Sequence, residues 1–145
     1  VKSFQMQNPE LSFVLNFAEN TAIPVNIDRY ATMQILENLL SNAVKYSLGG
    51  GEVSISVQLE KGCCLLSIGD QGLSMTDDQV SRIFDKFYRV DATNTAISGT
   101  GLGMTIVKHL VESLSGEVTV TSSLRVGTTV TVRLPVTPVL SKELN

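Results

Sequence analysis

The chain has 145 residues, 43% of them hydrophobic, with a net charge of −3. That length fits one domain, residues 1–145, with a core of its own, and the weakly acidic balance without a basic run argues against nucleic acid as the main partner. No apolar stretch is long enough to span a bilayer. The opening on Val1, without a signal-like segment, reads as a piece cut from something longer. Cys63 and Cys64 are adjacent in a predicted strand, where neighbouring side chains point to opposite faces, so they are poor partners for each other. His109 is the single histidine and no metal-ligand spacing surrounds the cysteines, so a reducing cytoplasm is the expected setting.

Residues 11–17, L-S-F-V-L-N-F, alternate as a strand does, and residues 18–23 are polar and turn-like. Ile23-Pro24-Val25-Asn26-Ile27 predicts a short edge strand, because Pro24 cannot donate to a central ladder. Asp28 is placed to cap a helix from Arg29 to Ser47, with Leu36, Leu39, Leu40, Ala43 and Val44 on its apolar face and Gly49-Gly50-Gly51 as its stop. Residues 52–60 put Val53, Ile55, Val57 and Leu59 on one face; Lys61-Gly62 then turns the chain into a second strand, Cys63–Ile68. The stretch 69–99 predicts one short helix, Thr76–Phe84, and a mobile remainder. An amphipathic helix follows Gly103 and ends near Ser115-Gly116. Strands 117–122 and 128–134 join through Gly127, and the tail beyond Pro135 is expected to fray. This order predicts an α+β fold, a two-layer sandwich.

Four stretches carry chemistry. In S-G-T-G-L-G-M at 98–104, Gly99, Gly101 and Gly103 run into a helix start, where free N–H groups and a partial positive charge suit phosphate. No G-x-x-x-x-G-K-[ST] occurs, and the dinucleotide fingerprint lacks its spacing and strand. Asn38, Asn42 and Lys45 share one helix face, flanked by Gln34, Glu37 and Ser41. Asparagine is a weak helix former, amide oxygens suit Mg²⁺, and a lysine is a point charge for phosphates. Asp70 follows a strand and can accept from the amine of adenine, with Gly72 letting backbone approach the base. Ile83-Phe84-Asp85-Lys86-Phe87-Tyr88-Arg89 can anchor a lid by its aromatics while Lys86 and Arg89 reach a polyphosphate. The structural alternatives are a glycine hinge, a solvated helix face, an ordinary Asp turn and an aromatic-anchored surface turn.

In order, E-N-L-L-S-N-A-V-K-Y-S (37–47), D-Q-G-L-S-M (70–75), I-F-D-K-F-Y-R (83–89) and G-T-G-L-G-M (99–104) resemble the N, G1, F and G2 boxes of sensor histidine kinases. The closing S-G-E-V-T-V-T-S and V-G-T-T-V-T-V-R-L-P resemble the family's terminal hairpin, so the likeness spans about Phe13 to Pro135. The resemblance implies the Bergerat sandwich shared with gyrase, the Hsp90 chaperones and MutL. It implies Mg²⁺ on Asn42, phosphate support from Asn38, a nucleotide lined by Lys45 and Tyr46, and the adenine amine on Asp70 beside Gly72, with Met75 in the same box. Arg89 and Lys86 would approach the γ-phosphate, Gly99, Thr100, Gly101, Leu102 and Gly103 would form the hinge and phosphate cradle, and residues 73–98 would be the ATP lid.

The implied chemistry is phosphoryl transfer from Mg·ATP, with Asn42, Lys45 and Arg89 as the catalytic group, to a histidine on a separate dimerisation and phosphoacceptor domain. His109 lies on the helix after the G2 box and is not read as the acceptor, so the chain alone is expected to bind ATP, stay monomeric and not autophosphorylate. A response regulator would act downstream, and the domain would be cytoplasmic, in a parent protein that an inner membrane could hold. The alternatives are a nucleotide-binding regulatory module or pseudokinase of the same fold, and an ATPase of the gyrase type, for which Glu37 is the one candidate base. One departure from the pattern matters, Ser74 where the G1 box usually has a second glycine; Met104 in place of the usual leucine is a soft apolar swap. A serine held at positive φ costs about 1 kcal/mol. Ser74→Gly is therefore expected to tighten nucleotide binding in a calorimetric titration; an unchanged affinity would remove Ser74 as a determinant.

Overall fold

The computed structural model describes residues 2–17, 25–47, 50–60, 62–72, 75–85, 103–123 and 126–138. Hydrophobic alternation at period two builds the sheet. In β3 (Gly51–Glu60) Val53 and Ile55 are buried, and in β4 (Cys63–Asp70) Leu66 and Ile68 are, while the residues between them face the other way. With β1 (Leu11–Phe17), β5 (Glu117–Ser123) and β6 (Gly127–Pro135) they form a five-stranded sheet in the order β1-β3-β4-β6-β5. Only β1–β3 is parallel; β3–β4, β4–β6 and β5–β6 are antiparallel. The face away from the core is hydroxyl-rich: Ser54 and Ser56 lie in register with Gly69 and Ser67, and these with Thr129 and Thr131. Ser67 and Thr131 join by a hydroxyl–hydroxyl hydrogen bond of 3.0 Å.

The second layer is helical. The helix α2 (Arg29–Tyr46) starts where Asp28 accepts from the N–H of Ala31 at 2.9 Å, so the anticipated cap is present. Its buried stripe is Ala31, Ile35, Leu39, Leu40 and Ala43. Leu36 and Val44, placed by sequence on the core face, are only partly buried, because the stripe is centred on Ile35 and Leu39. The helix α4 (Gly103–Ser113) packs across α2 and brings Met104, Val107 and Val111 into the same core. Leu11, Val132 and Leu134 complete that core from the strands.

Several boundaries differ from the sequence reading. A helix α1 (Lys2–Gln7) precedes β1, unanticipated, with Phe4 packed against the core. α2 ends at Tyr46; buried Ser47 caps it, its hydroxyl turned back onto the Ala43 carbonyl at 2.6 Å. Gly51 belongs to β3 rather than to the helix stop. β4 runs to Asp70, two residues further than expected, because β6 pairs with it along its whole length. The helix α3 is Asp77–Arg82, shorter than Thr76–Phe84, with Thr76 and Gln79 forming a capping box. Beyond Pro135 the chain does not fray at once: β7 (Thr137–Pro138) pairs antiparallel with β2 (Val25–Asn26). Residues 18–24, the remainder of the 69–99 stretch beyond Asp85, and the tail from 139 lie outside the described residues.

Leu59 sits at the open end of β3 and is 36% exposed, not a core residue, whereas Ile35 is fully buried at 0%. Ile35→Ala is expected to cost about 2–5 kcal/mol in denaturant unfolding, and Leu59→Ala no more than about 0.5–1 kcal/mol. Comparable costs at the two positions would mean that the core is not centred on α2.

Candidate functional site

Where the helices part from the end of the sheet, a cleft of about 510 Å³, counted out to its open mouth, remains between the layers. Helical spacing turns Leu39, Asn42, Ala43 and Tyr46 of α2 toward it, at i, i+3, i+4 and i+7. Strand spacing supplies Ile68 and Asp70 from β4 and Thr128 and Val130 from β6. Val120 of β5, Met104 of α4, and Met75 and Ile83 on either side of α3 close it. The lining is mainly aliphatic with a few polar groups, as small-molecule sites are.

Asp70 is the polar focus. Its Oδ1 accepts from the N–H of Gly72 at 2.9 Å, and the N–H of Thr128 also donates to the carboxylate. These bonds favour the charged form, but burial outweighs them and pushes the carboxyl up to about 6. Gly72 has a different local reason from the one read in the sequence. A Cβ there would collide with the Tyr46 carbonyl, so the backbone it approaches is the last turn of α2. Gly127 is fixed in the same way: at φ 121° its missing Cβ leaves room for the Asp70 carbonyl.

At the other end of the cleft, α2 meets the start of α4. A Cβ on Gly103 would stand 3.6 Å from Asn38 Oδ1 and 3.7 Å from Asn42 Oδ1, so both amide oxygens converge on the first residue of that helix. Asn38 is oriented by donating its amide to the Gln34 carbonyl at 2.8 Å. Two oxygen acceptors and a helix N-terminus thus share one spot.

Of the residues singled out by sequence, Asn42, Tyr46, Asp70 and Met75 line the cleft; Asn38 and Gly103 border its far end, and Gly72 braces the turn behind Asp70. Lys45 is half-buried on α2 and is not among the lining residues. Lys86, Arg89, Gly99, Thr100, Gly101 and Leu102 lie outside the described residues. Sequence reasoning missed Thr128, which is buried and pairs in register with Asp70, and the aliphatic wall of Ile68, Val120 and Val130. Their signal is register across strands far apart in the chain. Glu37 and His109 are exposed.

Residues 27–138 match the family model described as histidine kinase-, DNA gyrase B- and HSP90-like ATPase. The chain is 35% identical over 139 residues to the sensor histidine kinase WalK of Bacillus subtilis (strain 168), covering 93% of this chain and 23% of the relative. It is 34% identical over 131 residues to the signal transduction histidine-protein kinase BaeS of Escherichia coli (strain K12), covering 90% of this chain and 28% of that one. It therefore spans about a quarter of the length of these curated relatives. Among solved structures, the mycobacterial sensor histidine kinase MprB superposes with a TM-score of 0.78 at 26% identity, over 95% of this chain and 90% of that one. Full-length ShkA, solved in complex with AMPPNP, gives 0.81 at 25% identity, over 97% of this chain and 30% of that one. The chain belongs to the histidine kinase-, DNA gyrase B- and HSP90-like ATPase family. Its sheet and helices are the α+β sandwich of histidine kinase catalytic domains.

Asp70 makes stability depend on pH. Folded, it holds its proton up to about pH 6; unfolded, it releases it near the ordinary 3.8. Between these values the folded state binds more protons, so stability falls as pH rises through the window from about 4 to 6. Denaturant unfolding at pH 4 and pH 7 is expected to show this descent, and Asp70→Asn to abolish it. An equal slope in the variant would place the titration elsewhere.

Proposed function

We propose that the chain binds Mg·ATP in this cleft and donates the γ-phosphate to a histidine on the separate dimerisation and phosphoacceptor domain of a sensor histidine kinase. One observation carries the reading: a half-buried carboxylate closes one end of an aliphatic cleft, and two amide oxygens meet a helix N-terminus at the other. An adenine ring has the shape and apolar faces for the first part, with its exocyclic amine donating to Asp70. A triphosphate has the charge for the second.

The chain's own groups do the work of binding and orientation. Asp70 fixes the base, Tyr46 and Met75 flank it, and the N–H groups at the start of α4 face the phosphates. Asn42 would hold the cation and Asn38 support the phosphates from the same face of α2. Among the described residues no three His, Cys, Asp or Glu side chains cluster, so a divalent ion here needs phosphate oxygens and water beside Asn42. When bound, Mg²⁺ neutralises phosphate charge during transfer. Lys45, Lys86 and Arg89 are proposed to offset the charge that develops on the γ-phosphate, and Gly99 to Gly103 to cradle it. The attacking imidazole comes from the partner domain, and a response regulator receives the phosphoryl group afterwards.

A water-activating ATPase would need a carboxylate facing the phosphates. Glu37 is exposed, one position from Asn38 and outside the cleft-facing set of α2, which favours the kinase reading.

Calorimetric titration with a non-hydrolysable ATP analogue, with and without Mg²⁺, tests the site. Binding in the micromolar to sub-millimolar range is expected, stronger with Mg²⁺. Asp70→Asn should weaken it about 10-fold or more, since a hydrogen bond to a charged acceptor is lost, and Asn42→Asp should weaken the Mg²⁺-dependent part. No heat at millimolar nucleotide would overturn the reading.

A further inference from the structure

The cleft's walls are unequal in how they are built. α2, α4, β3, β4 and β6 each bring more than one buried side chain to one continuous core, whereas Ile83 alone, with Met75 and Phe84 packed against that core, comes from the segment 75–85. α3 within it has no buried residue, and Ile83 is the segment's single buried side chain, at 9% exposure. Yet this segment contributes Met75 and Ile83 to the cleft. So small an apolar footing holds this wall less firmly than the core holds the others.

Two hydroxyls hold its ends. At the first, the N–H of Met75 donates to Ser122 Oγ on β5 at 2.7 Å. Ser122 Oγ is in turn 3.0 Å from Thr128 Oγ1 and 3.3 Å from the Gly127 carbonyl oxygen. Since the N–H of Thr128 donates to Asp70, one polar chain runs from the Asp70 carboxylate through Thr128 and Ser122 to the Met75 backbone. At the other end, Thr105 Oγ1 in the first turn of α4 donates to the Phe84 carbonyl at 3.1 Å. One turn further on, Lys108 Nζ stands 5.7 Å from the centre of the Phe84 ring, within range of a cation–π contact. Neither Ser122 nor Thr105 lines the cleft.

We propose that Ser122 and Thr105 are positioning residues: they clamp the 75–85 segment at both ends and so set nucleotide affinity through Met75 and Ile83. Each attaches the wall to an element that already serves the nucleotide. Ser122 ties it to the Asp70 end and Thr105 to the helix that starts at the phosphate end. A wall fixed beforehand spares the nucleotide the cost of ordering it. The role rests on the nucleotide reading of the cleft, but the clamp itself can be read without nucleotide.

The test uses this chain with Thr105→Val, Thr105→Ser and Ser122→Ala, each titrated with the non-hydrolysable ATP analogue and Mg²⁺. Thr105→Val keeps the shape and removes the hydroxyl; Thr105→Ser keeps the hydroxyl. Thr105→Val and Ser122→Ala should each raise Kd about 3- to 10-fold, and Thr105→Ser should stay within about twofold of the unaltered chain. In the nucleotide-free chain, hydrogen exchange at the Met75 amide should quicken about 10-fold in Ser122→Ala and stay unchanged in both Thr105 variants. A Thr105→Ser protein as weak as Thr105→Val would overturn the role of that hydroxyl. Unchanged Met75 exchange in Ser122→Ala would overturn the clamp at β5. Absence of binding by the unaltered chain sinks the nucleotide reading; binding that none of the substitutions moves sinks only the positioning role.

Discussion

A carboxylate half withdrawn from water at the end of a central strand is the constraint from which the rest of the cleft follows. Charged and half-desolvated, Asp70 needs donors, and it takes them from backbone: the N–H of Gly72 just beyond it and that of Thr128 across the β4–β6 ladder. Both donors demand close approach. Gly72 lies so near the Tyr46 carbonyl, and Gly127 so near that of Asp70, that a Cβ at either would collide with backbone. The turn after β4, the last turn of α2 and the start of β6 are therefore one unit, built around a group that burial itself disfavours. A site with that internal cost is the kind that is retained for binding rather than for stability.

The fold was legible wherever burial follows a local period. The alternation of β1, β3 and β4, the Asp28 cap of α2, the apolar run of α4 and the hairpin through Gly127 all lie within windows of a few residues, and all are present. What failed depends on partners distant in sequence. β4 reaches Asp70 because β6 pairs along it, and β7 exists because Val25–Asn26 offers an edge. α1 makes the same point, since a six-residue helix has little stability of its own and Phe4 packing on the core is what favours it. Leu59 has the right period but, next to the last residue of β3, is 36% exposed, and period alone does not report what a face meets.

The site divides the same way. Asn38 and Asn42 stand out because a weak helix former recurs one turn apart, and Asp70 because a carboxylate ends an apolar strand; both signals are local. Thr128 and Ser122 give none. Within V-G-T-T-V-T-V and T-V-T-S-S they are ordinary strand hydroxyls, and only the register Asp70↔Thr128 and Ser122↔Thr128 sets them beside the carboxylate. Gly72 was found for an incomplete reason: glycine implies close approach, but the sequence does not say whether ligand or protein comes near.

The two sides of the cleft differ in how firmly they are held. The side made by α2, α4 and β4 is continuous with the core, so Asn42, Asp70 and Met104 are held by the same packing that keeps the chain folded. Moving them would cost core contacts worth several kcal/mol. The facing wall, Met75 to Ile83, hangs on two hydroxyl hydrogen bonds and a small apolar footing, worth about 1 kcal/mol apiece for the bonds. Local opening of that wall therefore lies far below global unfolding in free energy. Such an opening leaves Asp70 and the paired amides of Asn38 and Asn42 in place, since they stand on β4 and α2. Rigidity is thus concentrated in α2, α4 and β4, and the weakly held element is the short segment that faces them.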